Sequence, residues 1–119
     1  MKRFIETHEW QVIEDGFRPE QNRVVESLMS LGNGYMGMRG NFEEAYSGNS
    51  LQGTYMAGVY YPDRTVVGWW KVGYPEYFAK VLNAVNFIGI NVHLGGTPLD
   101  LHYWKPTRFR RTLDMHKGE

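Results

Sequence analysis

Apolar positions in this chain fall in short runs broken by turn residues, and most runs alternate rather than follow a helical period. Residues 4–14 carry Trp10, Val12 and Ile13 ahead of Asp15-Gly16, a turn signal, and predict one short strand. Residues 23–31 are ambiguous, because Val24, Val25, Leu28, Met29 and Leu31 fit a helical stripe about as well as a two-sided buried strand. The Gly32-Asn33-Gly34 that follows favours a strand, since Asn-Gly is a strong hairpin signal. The return strand is residues 35–39, with Met36 and Met38 on one face and Tyr35, Gly37 and Arg39 on the other.

Residues 54–61 (TYMAGVYY) are rich in strand formers and are closed by Pro62-Asp63. Residues 81–94 predict another extended segment, and Gly95-Gly96-Thr97-Pro98 turns it back into residues 99–104 as a second hairpin. Strand and turn alternate throughout, with no long helical period, linker or repeat. The pattern predicts an all-β fold, an antiparallel β-sandwich.

Composition narrows this reading. A chain of 119 residues holds one domain or part of one, and 13 Lys and Arg against 13 Asp and Glu give no pull toward nucleic acid or an anionic membrane. With no cysteine, disulfides and thiolate metal sites are ruled out and a reducing compartment fits best. The first residues lack a signal-peptide hydrophobic region and no later run is long enough to cross a bilayer, so a cytoplasmic protein is expected.

Each motif has a plainer competitor. Residues 32–37 match G-x-G-x-x-G, but the glycines at 40, 48 and 53 break the helix that a pyrophosphate site needs, and position 57 is Ala rather than an acid. His8-Glu9 begins like a zinc-protease motif, but Val12 stands where the second histidine belongs. His93, His102 and His116 lie on different elements without ligand spacing. Glu43 and Glu44 are adjacent, whereas the carboxyl pair of an inverting glycosidase stands about 6.5–9.5 Å apart, so a solvated or loop-fixing pair is the better reading. Tyr60, Tyr61, Trp69, Trp70, Tyr74, Tyr77 and Phe78 form an aromatic stretch suited first to core or interdomain packing and second to stacking on a sugar. Arg108, Arg110 and Arg111 are read first as a solvated strand face, and phosphate or nucleic-acid contact is secondary.

Three blocks carry a family resemblance: ESLMSLGNGYMGMRGNFEE at 26–44, SLQGTYMAGVYYPD at 50–63 and VGWWKVGYPEYFAKVLNAVNFI at 67–88, followed by LDMHKG at 113–118. In this order they resemble the maltose phosphorylases, within a wider family that holds kojibiose and trehalose phosphorylases and some hydrolases. The segment 91–111 is a looser match. The resemblance implies a large N-terminal β-sandwich, a helical linker, an (α/α)6 barrel and a small C-terminal β domain, with this chain an incomplete part of the first sandwich.

It further implies inverting phosphorolysis of maltose to β-glucose 1-phosphate and glucose. A barrel glutamate would protonate the glycosidic oxygen while phosphate attacks the anomeric carbon. Catalytic residues would then lie outside this chain, and phosphate would be the co-substrate, with no metal or organic cofactor. The partners implied are the C-terminal domains of the same enzyme and a second subunit. Arg39, Asn41, Glu43 and Glu44 would form a loop that meets a neighbouring domain or substrate, with Trp69 and Trp70 as further candidates. An incomplete sandwich would also expose strand edges and self-associate. The competing reading is a free-standing carbohydrate-binding β-sandwich that uses Trp69 and Trp70.

Overall fold

The computed structural model describes residues 4–66 and 74–119. Its first sheet begins with a hairpin, β1 (Ile5–Thr7) and β2 (Gln11–Asp15), closed by reciprocal backbone bonds between His8 and Gln11. The single strand expected over 4–14 is therefore two, because the polar His8-Glu9 pair and Trp10 form a tight turn. The last strand, β10 (Arg110–Asp114), returns antiparallel to the other side of β2, with Arg111 opposite Glu14 and Leu113 opposite Val12.

Between these strands runs a single 3-10 turn, Pro19–Gln21, that leads into α1 (Asn22–Leu28). Pro19 opens it with φ already near the helical value. The strand expected at 23–31 is thus a helix as far as Leu28. The inward face explains the misreading: Asn22, Val25, Glu26 and Met29, at i, i+3, i+4 and i+7, are all buried. Two of those four are polar, while the apolar Val24 and Leu28 are half-exposed at 47% and 49%, so hydrophobicity alone marks the wrong stripe.

A short β3 (Leu31–Gly32) does pair with β4 (Met36–Met38), and β5 (Thr54–Met56) completes a second antiparallel sheet in the order β3-β4-β5. The turn centre is Gly34-Tyr35 rather than Asn33-Gly34: only Gly34 has positive φ, at 88°, as a turn with glycine first requires. Asn33 instead uses its side-chain oxygen to accept from the amides of Tyr35 (3.0 Å) and Met36 (2.9 Å). The run 54–61 is split at Gly58 (φ 84°), and Pro62-Asp63 lies within β6 (Tyr60–Arg64) instead of ending it. That strand pairs only with β7 (Tyr77–Val81) among the described residues.

The second expected hairpin exists around Gly95-Gly96, both at positive φ, but is only β8 (His93–Leu94) and β9 (Thr97–Pro98). Residues 99–104 form a turn instead of a strand. There Asp100 accepts the amides of Ser47 (3.1 Å) and His102 (2.8 Å). All named strand pairs are antiparallel, and α1 is the one α-helix among the described residues. No helix there is long and apolar enough to cross a membrane.

The core is concentrated at one end. Val25 of α1 and Met29, just past its C-terminus, pack with Leu113 of β10, supported by Phe4, Ile5, Val12 and Leu31. Elsewhere the chain is open: its radius of gyration is 18.0 Å, against about 13.5 Å for a compact domain of this length. Its accessible surface is 9306 Å², where a compact protein of this mass has about 6,700 Å². The β6–β7 ribbon is exposed along nearly its whole length, a state in which two strands alone are marginal in water.

Candidate functional site

The loop from Arg39 to Leu51 is the most heavily tethered irregular segment of the chain. It starts where Gly40 passes so close to α1 that a Cβ there would stand 2.7 Å from the Cβ of Met29. Glycine is needed at that crossing, and the Gly40 amide uses the approach to donate to the Glu26 carbonyl (2.9 Å). The other end is held by the Glu26 side chain. One carboxylate oxygen accepts from the Leu51 amide (2.7 Å), and the other from Asn22 Nδ2 (3.1 Å) and the Ser50 hydroxyl.

Arg111 ties this loop to the first sheet. Its Nε donates to Glu14 Oε2 at 2.8 Å, with Nη2 equally close to the same oxygen. Nη1 donates to the Gly40 carbonyl (3.2 Å) and Nη2 to Asn22 Oδ1 (3.0 Å). The guanidinium also lies 4.5 Å from the centre of the Phe42 ring. Glu14 and Glu26 are fully buried and the Arg111 side chain is 14% exposed, so this is an interior ionic network.

Beside it, Phe17, Phe42, Tyr46 and Phe109 form an aromatic cluster with edge-to-face contacts such as Phe42–Tyr46 at 5.2 Å. Burial pushes the Tyr46 phenol above its usual range, and the Glu26 and Asp100 carboxylates add to this while Arg111 opposes it.

Of the residues singled out from the sequence, Arg39, Asn41 and Glu43 line one cleft of about 330 Å³ together with Ile88, Arg111 and Glu119. Glu44 does not line it. Arg39 turns toward the helix, donating through Nη2 to the Arg23 carbonyl (3.0 Å) and the Ser27 hydroxyl (2.7 Å). The two amide atoms of Asn41 are buried without a hydrogen-bond partner among the described residues. Glu43 and Glu44 are exposed, and neither carboxylate is ion-paired among the described residues. They are fixed through the backbone: the Glu43 carbonyl accepts from the Ile90 amide (2.6 Å) and Glu44 bridges to Ile90. Trp69 and Trp70 lie outside the described residues. Tyr60, Tyr61, Tyr77 and Phe78 do not enter the core seen here, being 45–58% exposed on the β6–β7 ribbon.

The glycine-rich motif at 32–37 holds an antiparallel hairpin, and no helix opens from it, which removes the geometry of a dinucleotide site. Among the described residues no three His, Asp or Glu side chains converge as a metal set would.

Residues 12–119 match the model of the family described as "Glycosyl hydrolase family 65, N-terminal domain". The chain belongs to this family. It is 55% identical over 117 residues to the maltose phosphorylase of Bacillus subtilis (strain 168), covering 98% of this chain and 16% of that protein. The α,α-trehalose phosphorylase of Thermoanaerobacter brockii is 35% identical over 113 residues, covering 92% and 15%. A solved chain described as a candidate kojibiose phosphorylase from human microbiome superposes with a TM-score of 0.84 at 37% identity, over 98% of this chain and 16% of that one. The chain thus spans about one-sixth of the length of these family 65 relatives.

Within this family 65 N-terminal region, the residues that organise the loop are Glu14, Asn22, Glu26 and Arg111. Sequence reasoning passed over the first three and placed Arg111 on a solvated face. That last reading is corrected by the strand phase, since Arg111 shares the inward face of β10 with Leu113 while Arg110 is outward and pairs with Asp15 at 3.2 Å. The alternation Phe109, Arg111, Leu113 was the available signal.

A peripheral carboxylate sets an acid dependence. Asp114 accepts from Gln11 Nε2 (3.2 Å) and from the amides of Lys117 and His116 (3.0 Å each). The Gln11 bond first, then the Lys117 amide, hold its carboxyl below the ordinary value despite some opposing desolvation. A depressed folded-state value means that this contribution to stability is fully present above the ordinary Asp value of about 3.9 and is lost as pH falls through the lower folded value. Thermal melts from pH 6 down to pH 2 are expected to show a shallower acid loss for Asp114→Asn than for the native chain. Equal slopes would remove Asp114 from the acid response.

Proposed function

We propose that this chain is a noncatalytic scaffold in the N-terminal region of a cytoplasmic maltose phosphorylase, which cleaves maltose with phosphate to β-glucose 1-phosphate and glucose. The observation that carries the reading is the 55% identity to the Bacillus subtilis enzyme along nearly the whole chain, including the blocks at 26–44 and 67–88.

The physical state of the chain supports a scaffold. About 2,600 Å² of surface beyond the compact expectation is exposed, and it includes the apolar Val24 and Leu28 of α1 and the aromatic ribbon of β6 and β7. Such surface belongs against further protein. In this reading residues 1–119 form one incomplete β-sandwich region, and the catalytic barrel belongs to the remaining polypeptide. Arg39, Asn41, Glu43 and Glu44 sit on the loop that shapes the contact with that barrel, Trp69 and Trp70 add to the same interdomain or substrate surface, and the enzyme works as a homodimer with phosphate as co-substrate and no metal or organic cofactor.

The test is a phosphate-dependent maltose cleavage assay on this chain alone and on the same chain joined to the C-terminal remainder of a family 65 maltose phosphorylase. Activity is expected only in the joined protein. Cleavage by the isolated chain would overturn the scaffold reading, and a joined protein that ignores maltose while cleaving kojibiose or trehalose would overturn the substrate. Tryptophan fluorescence of the isolated chain is expected to stay flat with maltose, whereas a saturable shift would favour a sugar-binding module.

A further inference from the structure

The turn between β3 and β4 is closed by a side chain. The Asn33 amide donates to the Met36 carbonyl (3.0 Å), but Met36 returns its own amide to Asn33 Oδ1 (2.9 Å) rather than to the Asn33 carbonyl. The Tyr35 amide donates to the same side-chain oxygen (3.0 Å). The peptide unit joining Asn33 to Gly34 is left with neither its C=O nor its N–H bonded among the described residues. Asn33 is exposed, and nothing lies within 4 Å of the position that a Cβ on Gly34 would take. Asn33 is also the only asparagine of the chain that is followed by glycine.

We propose that Asn33 is a site of spontaneous covalent modification, in which its carboxamide is lost through a cyclic imide formed with Gly34. The Gly34 nitrogen gives its proton to solvent base and attacks Asn33 Cγ. The N–Cγ bond forms, the Cγ–Nδ2 bond breaks, and Nδ2 leaves as ammonia with a proton from solvent. Water then opens the ring at either carbonyl. Attack at Cγ yields an aspartyl residue, and attack at the main-chain carbonyl yields an isoaspartyl residue whose backbone runs through Cβ and Cγ. Glycine at position 34 favours closure because no side chain hinders the nitrogen and the peptide unit turns freely.

The structure adds a gate. Closure needs Cγ to swing onto the Gly34 nitrogen, whereas the two bonds to Oδ1 hold the carboxamide over Tyr35 and Met36. Those bonds open first, so the rate follows the local opening of the hairpin. The two products then part ways. An aspartyl carboxylate still accepts from both amides and re-forms the turn. The isoaspartyl product adds one atom to the backbone and breaks the register that sets Gly32 opposite Gly37 and Leu31 opposite Met38. Because β4 runs straight into Arg39 and Gly40, the start of the tethered loop loosens with it. The chemistry takes place within two adjacent residues and needs only water, so it stands apart from the scaffold reading and from whatever polypeptide packs around the chain.

The test is incubation of the 119-residue chain at mildly alkaline pH, with peptide mass spectrometry and enzymatic methylation of isoaspartate as readouts. Asn33 is expected to convert before any other asparagine, and at least about tenfold faster when guanidinium unfolds the chain, since both side-chain bonds are then absent. Asn33→Ser offers a hydroxyl to the same amides and forms no imide. It is expected to keep its circular dichroism through an incubation in which the native chain loses part of its β signal. An Asn33 that stays intact while another asparagine converts would overturn the site. A folded chain that converts as fast as the unfolded one would overturn the gate, and equal loss of β signal in Asn33→Ser would overturn the structural consequence.

Discussion

Replacing Arg111 by methionine is expected to destabilise the chain by about 3–5 kcal/mol, enough to unfold a protein of ordinary marginal stability. The size follows from what is left behind. Glu14 is fully buried, and its Oε2 has Arg111 as its cation at 2.8 Å. Its other oxygen is already without a partner among the described residues. Removing the guanidinium strands a carboxylate in the interior and releases the Gly40 carbonyl and Asn22 Oδ1 with it. The measurement is urea denaturation followed by circular dichroism, with Glu14→Leu and the double variant completing a cycle. Glu14→Leu alone is expected to lose a similar amount, since it strands the guanidinium. The double variant is expected to recover the part of the loss that comes from the stranded charge, because removing both charges of a buried pair is often neutral or stabilising, but not the part that comes from the Gly40 carbonyl and Asn22 Oδ1. If Arg111→Met alone stays within about 1 kcal/mol of native, the network is not what holds the loop.

This experiment bears on function because Arg111 is the junction of three parts of the chain. It touches β2 through Glu14, α1 through Asn22 and the loop through Gly40 and Phe42. The segment carrying Glu43 and Glu44 is irregular, and apart from its bridges to Ile90 and Asp100 its position depends on such tethers. In the scaffold reading, that position decides what the loop presents to the barrel.

What could be read from the sequence follows the physics of each element. The all-β class was legible because alternation and glycine turns are local, and the hairpins at Gly34 and Gly95-Gly96 lie where turn chemistry put them. Strand limits were less so: Pro62 looked like a terminator, but an edge strand tolerates proline wherever no N–H is needed. The helix was missed because half of its buried face is Asn22 and Glu26, polar residues that a hydrophobic pattern assigns to solvent. Asn22 Oδ1 is satisfied by Arg111, 89 positions away, and the Glu26 carboxylate by Ser50 and Leu51 from the far end of the loop as well as by Asn22. No local window contains that information. The block at 26–44 carried the family resemblance, while the roles of its Glu26 and Gly40 emerged only from the crossing of the loop over α1.

Glu26 is the second place where one side chain governs the fold. Its carboxylate receives three donors, from Asn22, Ser50 and Leu51, and two of them belong to the far end of the loop. Glu26→Leu fills much of the same volume and removes all three acceptor contacts. With about 1–3 kcal/mol for each buried donor left unpaired, and partial rescue of the more accessible ones, a loss of about 3–5 kcal/mol is expected. Glu26→Gln keeps one acceptor oxygen but turns the other into a donor that faces donors, and an intermediate loss of about 1–2 kcal/mol is expected. Hydrogen exchange should localise the effect. The Leu51 amide is expected to lose its protection in both variants, while the amides of the β1–β2 hairpin weaken only as far as global stability falls. Protection of Leu51 that survives Glu26→Leu would mean that this end of the loop is held by packing, with Gly48 lying over the Tyr46 ring as the contact to examine in its place.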